Sequence, residues 1–369
     1  MKKNNQGIPG IGDVEEIGRG GFGVVYRATE EELGRDVAVK VLTGTVDDRT
    51  RSRFERECRA MGALSGHPHI VTIYRSGTTE AGLLYLVMEY LHGGSLADQI
   101  DASGPATWQE ALRTGIELSG ALESAHRAGV LHRDVKPGNV LMDDLGRAML
   151  GDFGIARLDG GPETKSSVIT ASVAHAPPEV IGGQRPDERS DIYSLASTLF
   201  HLINGSAAFV RDSDESMLPL FARIAHDPVP DLRDRGVPEA FTRTLEQAMS
   251  KEASTRYGSA EALGQALVAV QRELGESETQ LWISGETSNR PAANTTVQVA
   301  PPEGDQPPPP RQDQVKTSAD ISEPLPPAPV SQPATPPAPQ SDAAPQSDCL
   351  LYTSPSPRDQ RGSRMPSSA

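Results

Sequence analysis

The chain has 369 residues, of which 36% are hydrophobic and only 4% are aromatic, and its formal net charge is −15. This length suffices for one large domain and a tail, and an acidic chain without a long Lys/Arg run is not expected to bind nucleic acid or a membrane surface. Because the two cysteines form no disulfide framework, and neither a signal peptide nor a run of roughly 18 apolar residues is found, we expect a cytoplasmic protein.

Residues 14–42 read as three strands, with a glycine-rich turn between the first two. A dinucleotide-binding turn would need a helix directly after its glycines. Here the β-branched Val24 and Val25 follow instead, which favours a hairpin whose backbone N–H groups approach phosphates closely. The third strand carries Lys40. The glycine-rich turn has the sequence Gly18-Arg19-Gly20-Gly21-Phe22-Gly23.

Three further elements follow along the chain. Residues 49–64 have helical periodicity and offer two acidic side chains, Glu55 and Glu57, to a cation on the sheet. Residues 83–91 form an apolar run that stops at a glycine pair, which suits a buried strand leading into a link between two lobes. Residues 108–126 form an amphipathic helix.

The strongest chemical signal is His132-Arg133-Asp134, with Lys136 and Asn139 at fixed steps after it. Phosphoryl transfer needs a carboxylate that orients a hydroxyl, a cation near the moving phosphoryl, and oxygen ligands for a divalent metal. The sequence Asp152-Phe153-Gly154 lies 18 residues beyond Asp134 and supplies a second carboxylate. Each motif alone is weak, but together they indicate phosphoryl transfer.

With these motifs in order, the chain resembles the Hanks-type protein kinases, and in particular the bacterial serine/threonine kinases of the actinobacterial kind. The resemblance implies an α+β, two-lobed fold: a small β-rich N-lobe with one key helix, and a larger helical C-lobe. It also implies transfer of the γ-phosphoryl of ATP to protein Ser/Thr hydroxyls, with Mg²⁺, or Mn²⁺ in its place, as the metal.

The resemblance assigns roles residue by residue. Asp134 would orient the nucleophile, Lys136 would stabilise the transferring phosphoryl, and Lys40 would position the phosphates while paired with Glu57 rather than Glu55. Asn139 and Asp152 would hold the metal. The expected ATP-binding residues are Ile17, Gly18, Arg19, Gly20, Gly21, Phe22, Gly23, Val24, Val25, Ala38, Lys40, Met88, Glu89 and Leu91.

Residues 155–179 would form the activation loop, and we expect autophosphorylation at Ser166, Ser167 or Thr170, with Arg133 receiving the phosphate. This segment departs from the family pattern, since Ala171-Ser172 stands where Gly-Thr is usual and Pro177 where Ala is usual. Ser172 keeps the hydroxyl, so activity should survive. By resemblance, three further residues are structural: Asp191 braces the catalytic loop (residues 130–140), and Glu179 pairs with Arg256.

Three segments are expected. Residues 11–275 would form the catalytic domain, and residues 276–348, rich in Pro, Ser and Thr, would form a disordered linker. Residues 349–369 match translated sequencing-adapter sequence in one frame, and we exclude them from the argument. The natural chain is then expected to continue past residue 348, and a membrane span there would anchor the protein.

Two alternatives remain at this point. A pseudokinase that serves as a scaffold would lack at least one of Lys40, Asp134, Asn139 and Asp152, and all four are present. A small-molecule phosphotransferase of related fold would lack the long activation loop and Arg256. The expected partners are ATP, proteins with Ser/Thr acceptors, and a second copy of the chain for trans-autophosphorylation.

Overall fold

The N-lobe is built on a five-stranded antiparallel sheet with the order β1-β2-β3-β5-β4. In this computed structural model the described residues are 7–20, 23–43, 47–153, 173–211 and 216–285. Inward-facing aliphatic side chains of β3 and β5 form the core of the sheet together with Ile8 and Ile11. The strands are β1 (Ile11–Gly20), β2 (Gly23–Glu30), β3 (Arg35–Leu42), β4 (Ile73–Thr78) and β5 (Leu84–Glu89).

One helix, α1 (Asp48–Gly62), belongs to the N-lobe. It begins where the side chain of Asp47 accepts a hydrogen bond from Thr50 N at 2.7 Å, an N-cap that satisfies one of the otherwise unpaired first-turn donors. Phe54, Cys58 and Met61 form its buried stripe at helical spacing. The predicted helix over residues 49–64 therefore forms, with its boundaries shifted by one or two residues.

The C-lobe is mainly helical and encloses the larger core. Its central helix is α3, whose N-terminus is fixed by a capping box between Thr107 and Glu110 and which is buried over most of its length. A two-stranded ribbon of β6 (Val140–Met142) and β7 (Ala148–Leu150) lies beside the catalytic loop. The helices are α2 (Leu96–Ser103), α3 (Trp108–Arg127), α4 (Pro178–Ile181), α5 (Glu188–Asn204), α6 (Met217–His226), α7 (Glu239–Ala248) and α8 (Ala260–Leu274).

A buried ion pair joins the start of α4 to the loop before α8. The Arg256 guanidinium, whose side chain is 0% exposed, donates to Glu179 Oε1 at 2.8 Å and to Oε2 at 2.7 Å. Burying such a pair adds little net stability, but removing one partner leaves a buried charge and costs about 3–5 kcal/mol. The structure thus brings together the two residues that the sequence paired.

The chain after α8 differs from the prediction that a disordered linker begins at residue 276. Residues 276–285 lie against the C-lobe, and Ile283 in this segment is only 5% exposed. Leu281 and Ile283 explain the difference. Their apolar side chains bury surface against the C-lobe, although the composition of residues 276–348 as a whole is too polar and Pro-rich to predict a folded segment. Residues 286–369 lie outside the described part of the chain, so the other linker and adapter predictions stay predictions.

The two-lobed α+β architecture predicted from the sequence is confirmed in the described residues. Within those residues, no helix is both long enough and apolar enough to cross a bilayer.

The folded protein should lose stability between about pH 7 and about pH 5. Burial lowers the pKa of His67 to about 4 and that of His175 to about 3, and it also lowers the pKa values of His132 and His201. The unfolded chain therefore binds more protons than the folded chain below about pH 6.5, and His67 and His175 each remove on the order of 1 kcal/mol of unfolding free energy as the pH falls.

Urea unfolding at the two pH values measures this loss. Burial raises the pKa of Glu117, which increases the free energy of unfolding as the pH falls, but this single carboxyl group opposes four histidines. A midpoint that is equal or higher at about pH 5 would contradict the prediction.

Candidate active site

The catalytic loop hangs from one buried carboxylate. Asp191, on α5 and 1% exposed, accepts a hydrogen bond from the backbone N–H of His132 at 2.7 Å and another from that of Arg133 at 2.7 Å. Arg133 has a φ of 64°, a left-handed conformation that costs energy in a non-glycine residue and persists only where the surroundings impose it. Asp191 therefore braces the backbone just before Asp134, in the place that the sequence assigned to it.

Two histidines complete this support. His126, at the end of α3, donates from Nε2 to Asp191 Oδ2 at 2.9 Å, which gives the carboxylate a third donor. His132 donates from Nε2 to Gly151 O at 2.9 Å and accepts from Asp134 N on Nδ1 at 3.3 Å. Because both ring nitrogens are used in this way, His132 is neutral, and burial lowers its pKa. The imidazole thus links the loop to the segment that carries Asp152.

Asp134 is held by the two side chains predicted to work with it. Lys136 Nζ donates to Asp134 Oδ2 at 2.8 Å, and Asn139 Nδ2 donates to the same oxygen at 3.0 Å and to the backbone carbonyl of Asp134 at 2.8 Å. A single turn of 3₁₀-helix, Pro137–Asn139, sets the spacing that makes these contacts. The carboxylate is thereby oriented by residues within five positions of it in the chain.

Lys40 reaches from β3 to Asp152, and the two side chains form an ion pair. The Lys40 side chain is 8% exposed and that of Asp152 is 39% exposed, so the cation is buried and its partner opens toward the cleft. Asp152, like Arg133, has a positive φ, 57°. Sequence analysis named both residues but did not predict that they would pair with each other.

The structure does not join Lys40 to Glu57. Glu57 accepts instead from Arg53 Nε at 3.3 Å, one helical turn earlier on α1, while Lys40 takes the carboxylate of Asp152. The predicted pair is corrected in this respect for the present conformation. Yet Glu57 Oε2 is buried without a hydrogen-bond partner among the described residues. A buried acceptor in that state is costly and suits a cation that arrives from β3.

The glycine-rich residues form a β-hairpin, as predicted. In β1 and β2, Gly18 pairs with Val25 and Gly20 with Gly23. The turn residues Gly21 and Phe22 lie outside the described residues. Among the predicted ATP-binding residues, β1 carries Ile17, Gly18, Arg19 and Gly20; β2 carries Gly23, Val24 and Val25; β3 carries Ala38 and Lys40; β5 carries Met88 and Glu89, with Leu91 just after it.

The predicted adenine pocket is brought together by strand register. Ala38 on β3 is the direct partner of Met88 on β5. Met88 and Lys40 line one apolar pocket with Met61 of α1 and Phe153. The backbone N–H of Glu89 donates to Thr72 O at 2.9 Å, so this donor is already used, and adenine would have to be read by other backbone groups of residues 89–91.

Asn139 and Asp152 fit a divalent metal. The Asn139 amide nitrogen is turned to Asp134, which leaves the amide oxygen as the ligand atom, and Asp152 presents a half-exposed carboxylate. Magnesium in phosphoryl-transfer sites is held by one or two such oxygen side chains together with the substrate phosphates. In the described residues no group of three or more His, Cys, Asp or Glu side chains forms a separate metal site.

Most of the activation loop, including Ser166, Ser167, Thr170 and Ser172, lies outside the described residues. Arg53 of α1 and Arg133 of the catalytic loop line the same clefts between the lobes, one of which also contains Asp134. Guanidinium groups that line one cleft are suited to binding a phosphate.

Sequence reasoning missed His126, because its contact with Asp191 spans 65 positions of the chain and no local pattern marks it. It also missed Glu117, which is buried on α3 and accepts from Ala148 N at 3.3 Å, beside His69. A carboxylate on the apolar stripe of a helix was the only available signal for the second.

Comparisons with known proteins agree with this geometry. The protein kinase domain family matches residues 12–268. The chain is 48% identical over 272 residues to the serine/threonine-protein kinase PknK of Mycobacterium bovis, covering 74% of this chain and 24% of PknK. It is 38% identical over 266 residues to the DNA damage-responsive serine/threonine-protein kinase RqkA of Deinococcus radiodurans (70% and 39%) and 34% identical over 268 residues to PknB of Mycobacterium leprae (70% and 42%).

The chain thus spans between about a quarter and about two-fifths of the length of these curated relatives. The family uses ATP and a divalent metal. The match covers both lobes and every described residue of the site, and the resemblance inferred from the motifs is confirmed: this chain belongs to the bacterial Hanks-type serine/threonine protein kinases.

Proposed function

We propose that this chain transfers the γ-phosphoryl group of ATP to serine and threonine hydroxyls of proteins. The observation that carries the proposal is the arrangement of Asp134, whose carboxylate is held by Lys136 and Asn139 on a loop that Asp191 fixes. A carboxylate of this kind can orient an acceptor hydroxyl and take its proton. The names of the relatives support the same activity.

Each side chain has a separate task. Asp134 aligns the acceptor oxygen and receives its proton, and Lys136, 2.8 Å from that carboxylate, stabilises negative charge on the phosphoryl in transit. Lys40 holds the phosphates of ATP. The metal, for which we favour Mg²⁺ over Mn²⁺, neutralises charge on the β- and γ-phosphates when bound to Asn139 and Asp152. The Lys136-Pro137-Gly138-Asn139 sequence supports Ser/Thr rather than Tyr acceptors by resemblance.

A pseudokinase is the weaker alternative. It would be favoured by a missing or misplaced member of the set Lys40, Asp134, Asn139 and Asp152. The contacts of Lys40 with Asp152 and of Asn139 with Asp134 support the kinase over this alternative. We also expect the catalytic domain to be cytoplasmic, where the free, buried Cys58 would stay reduced.

Replacing the acceptor-orienting or phosphate-holding side chain should abolish most activity. We expect Asp134→Asn and Lys40→Met each to lower kcat/KM for phosphorylation of a Ser/Thr peptide by about 10²–10⁴-fold, because each removes a group that acts in the transition state. Asp144→Asn, an exposed carboxylate at the turn after β6, is the matched control and should be neutral. Near-normal activity in either site variant would refute the assigned roles.

We further propose that α1 has a second position in which Glu57 leaves Arg53 and pairs with Lys40. The buried, unpartnered Glu57 Oε2 supports this, since a salt bridge with Lys40 would satisfy it. In that arrangement Lys40 is released from Asp152, which is then available to the metal.

A comparison of two carboxylates on α1 tests this. Glu57→Gln should lower kcat/KM for ATP by about ten-fold or more, as loss of a buried charged partner implies. Glu55→Gln, two residues earlier and exposed, should change it little. The same loss in both variants, or in neither, would contradict the pairing.

The proposal that autophosphorylation activates this kinase is based on two arginines among the described residues, and not on the structure of the activation loop. Arg53 of α1 and Arg133 of the catalytic loop line the same cleft, so a phosphate bound in it would add charge-assisted hydrogen bonds to both lobes. We propose that one copy of the chain phosphorylates another.

Peptide mapping of active enzyme should find phosphate on Ser166, Ser167 or Thr170. The triple Ala variant should have reduced activity toward other proteins, and an Asp134→Asn chain should be phosphorylated when mixed with wild type. Active enzyme that carries none of these modifications would contradict this proposal without contradicting the proposed kinase activity.

A further inference from the structure

Residues 276–285, here called the strap, leave the end of α8 and run back over the C-lobe. The side chain of Gln271, on α8 and 4% exposed, brackets Thr279 by donating to its hydroxyl at 2.9 Å and accepting from its backbone N–H at 2.8 Å. Ser284 N donates to Ser124 Oγ on α3 at 2.9 Å. The strap therefore makes specific hydrogen bonds with two helices, although it lies beyond the matched family domain.

Two helix glycines make room for it. At Gly120, in the middle of α3, a Cβ would overlap the carbonyl oxygen of Trp282, and at Gly264, on α8, a Cβ would lie 2.6 Å from the Leu281 side chain. Glycine inside a helix lowers its stability, since the backbone gains freedom in the unfolded chain. Both helices thus carry an unfavourable residue at the points where the strap passes, which is expected if the contact has a use.

Trp282 of the strap contacts the loop that joins α1 to β4. His67, 3% exposed in this loop, donates from Nε2 to the carbonyl of Trp282 at 3.0 Å, and its ring packs edge-on against the indole with centroids 5.2 Å apart. Its other nitrogen accepts from His69 N at 3.1 Å. Burial lowers the pKa of His67 to about 4, so the ring stays in the neutral form that these two bonds require.

This loop is the C-terminal anchor of α1. His67 N donates to Leu64 O at 3.0 Å, just past the end of α1, and His69 O accepts from Leu150 N at 2.9 Å, two residues before Asp152. A group that immobilises His67 therefore limits how α1, and with it Glu57, can move relative to Lys40.

We propose that the strap positions α1 through the contact of Trp282 and Ile283 with the C-lobe and of the Trp282 carbonyl with His67, so that a docked strap favours the pairing of Glu57 with Lys40. Glu57 and Lys40 are not joined in the present conformation, so docking would lower the cost of bringing them together without by itself making the pair. The effect is one of preorganisation. When the strap holds His67 in place, α1 has less conformational freedom to lose on binding of ATP, so binding costs less free energy. The inference rests on the proposed function.

The primary test is Gly120→Ala in the full chain. Alanine improves the helix itself, so α3 should fold, while its Cβ displaces Trp282. The matched control is Gly115→Ala on the same helix, where the Cβ would meet the flexible ends of Leu199 and Leu267 and not the strap. Ile283→Asp is a second strap variant. It places a carboxylate at a buried position outside the family domain and leaves the helices unchanged.

Docking can be read directly, because the chain has only two tryptophans. In a Trp108→Phe background, acrylamide quenching of Trp282 should rise in Gly120→Ala and in Ile283→Asp, and stay at the wild-type level in Gly115→Ala. The Kd for MgATP, from displacement of a fluorescent ATP analogue, should rise about five-fold in the two strap variants, which is the factor that one lost hydrogen bond typically costs. The KM for ATP should follow.

Two results would overturn the inference. In the first, quenching shows that the strap is released in the variants, but the Kd and KM for ATP stay at wild-type values and only the unfolding temperature falls. The strap would then be merely structural. The other is unchanged quenching in both strap variants. If instead the wild-type chain binds MgATP but phosphorylates no protein, the proposed function fails, and the quenching and Kd measurements still decide the role of the strap.

Discussion

The active site depends on one buried carboxylate that holds the backbone of the catalytic loop. Asp191 accepts from two consecutive N–H groups, and the second belongs to Arg133, whose left-handed φ of 64° would relax without that support. Everything that the loop presents follows from this constraint. The Asp134 carboxylate is held in one orientation by Lys136 and Asn139, which lie only a few residues further along the chain. His132 donates to Gly151 O, just before Asp152.

A second organising feature is competition for one buried cation. Lys40 is almost fully covered, so it must have a carboxylate, and both Asp152 and Glu57 are candidates. In the present conformation Asp152 has it, and Glu57 is left with one satisfied and one unsatisfied oxygen. In the proposed second position of α1 the partners are exchanged. In each arrangement Lys40 has one carboxylate partner, so the position of α1 decides which carboxylate that is.

The strap acts at the C-terminal end of α1, through His67. The strap is joined to the C-lobe helices α3 and α8, and the ion pair of Glu179 with Arg256 joins the end of the predicted activation loop to the loop before α8. The glycines Gly120 and Gly264 show that the helices are adapted to the strap in sequence as well as in shape. In this view a helix of the N-lobe is positioned largely by elements that lie outside that lobe.

The sequence by itself determined the local features. The hairpin forms because β-branched residues follow its glycines, and α1 and α3 form because their apolar spacing and caps are local. Asp134 meets Lys136 and Asn139 because the whole set lies within six consecutive residues. Only the tertiary structure decided the contacts between distant residues. The partners of Lys40, of His126 and of His67 lie 112, 65 and 215 positions away. Such pairs depend on which charged or buried groups the fold brings together, and several carboxylates in the chain could equally have met Lys40. The strap was missed for the same reason, since the two apolar residues that bury it stand in a stretch whose composition predicts disorder.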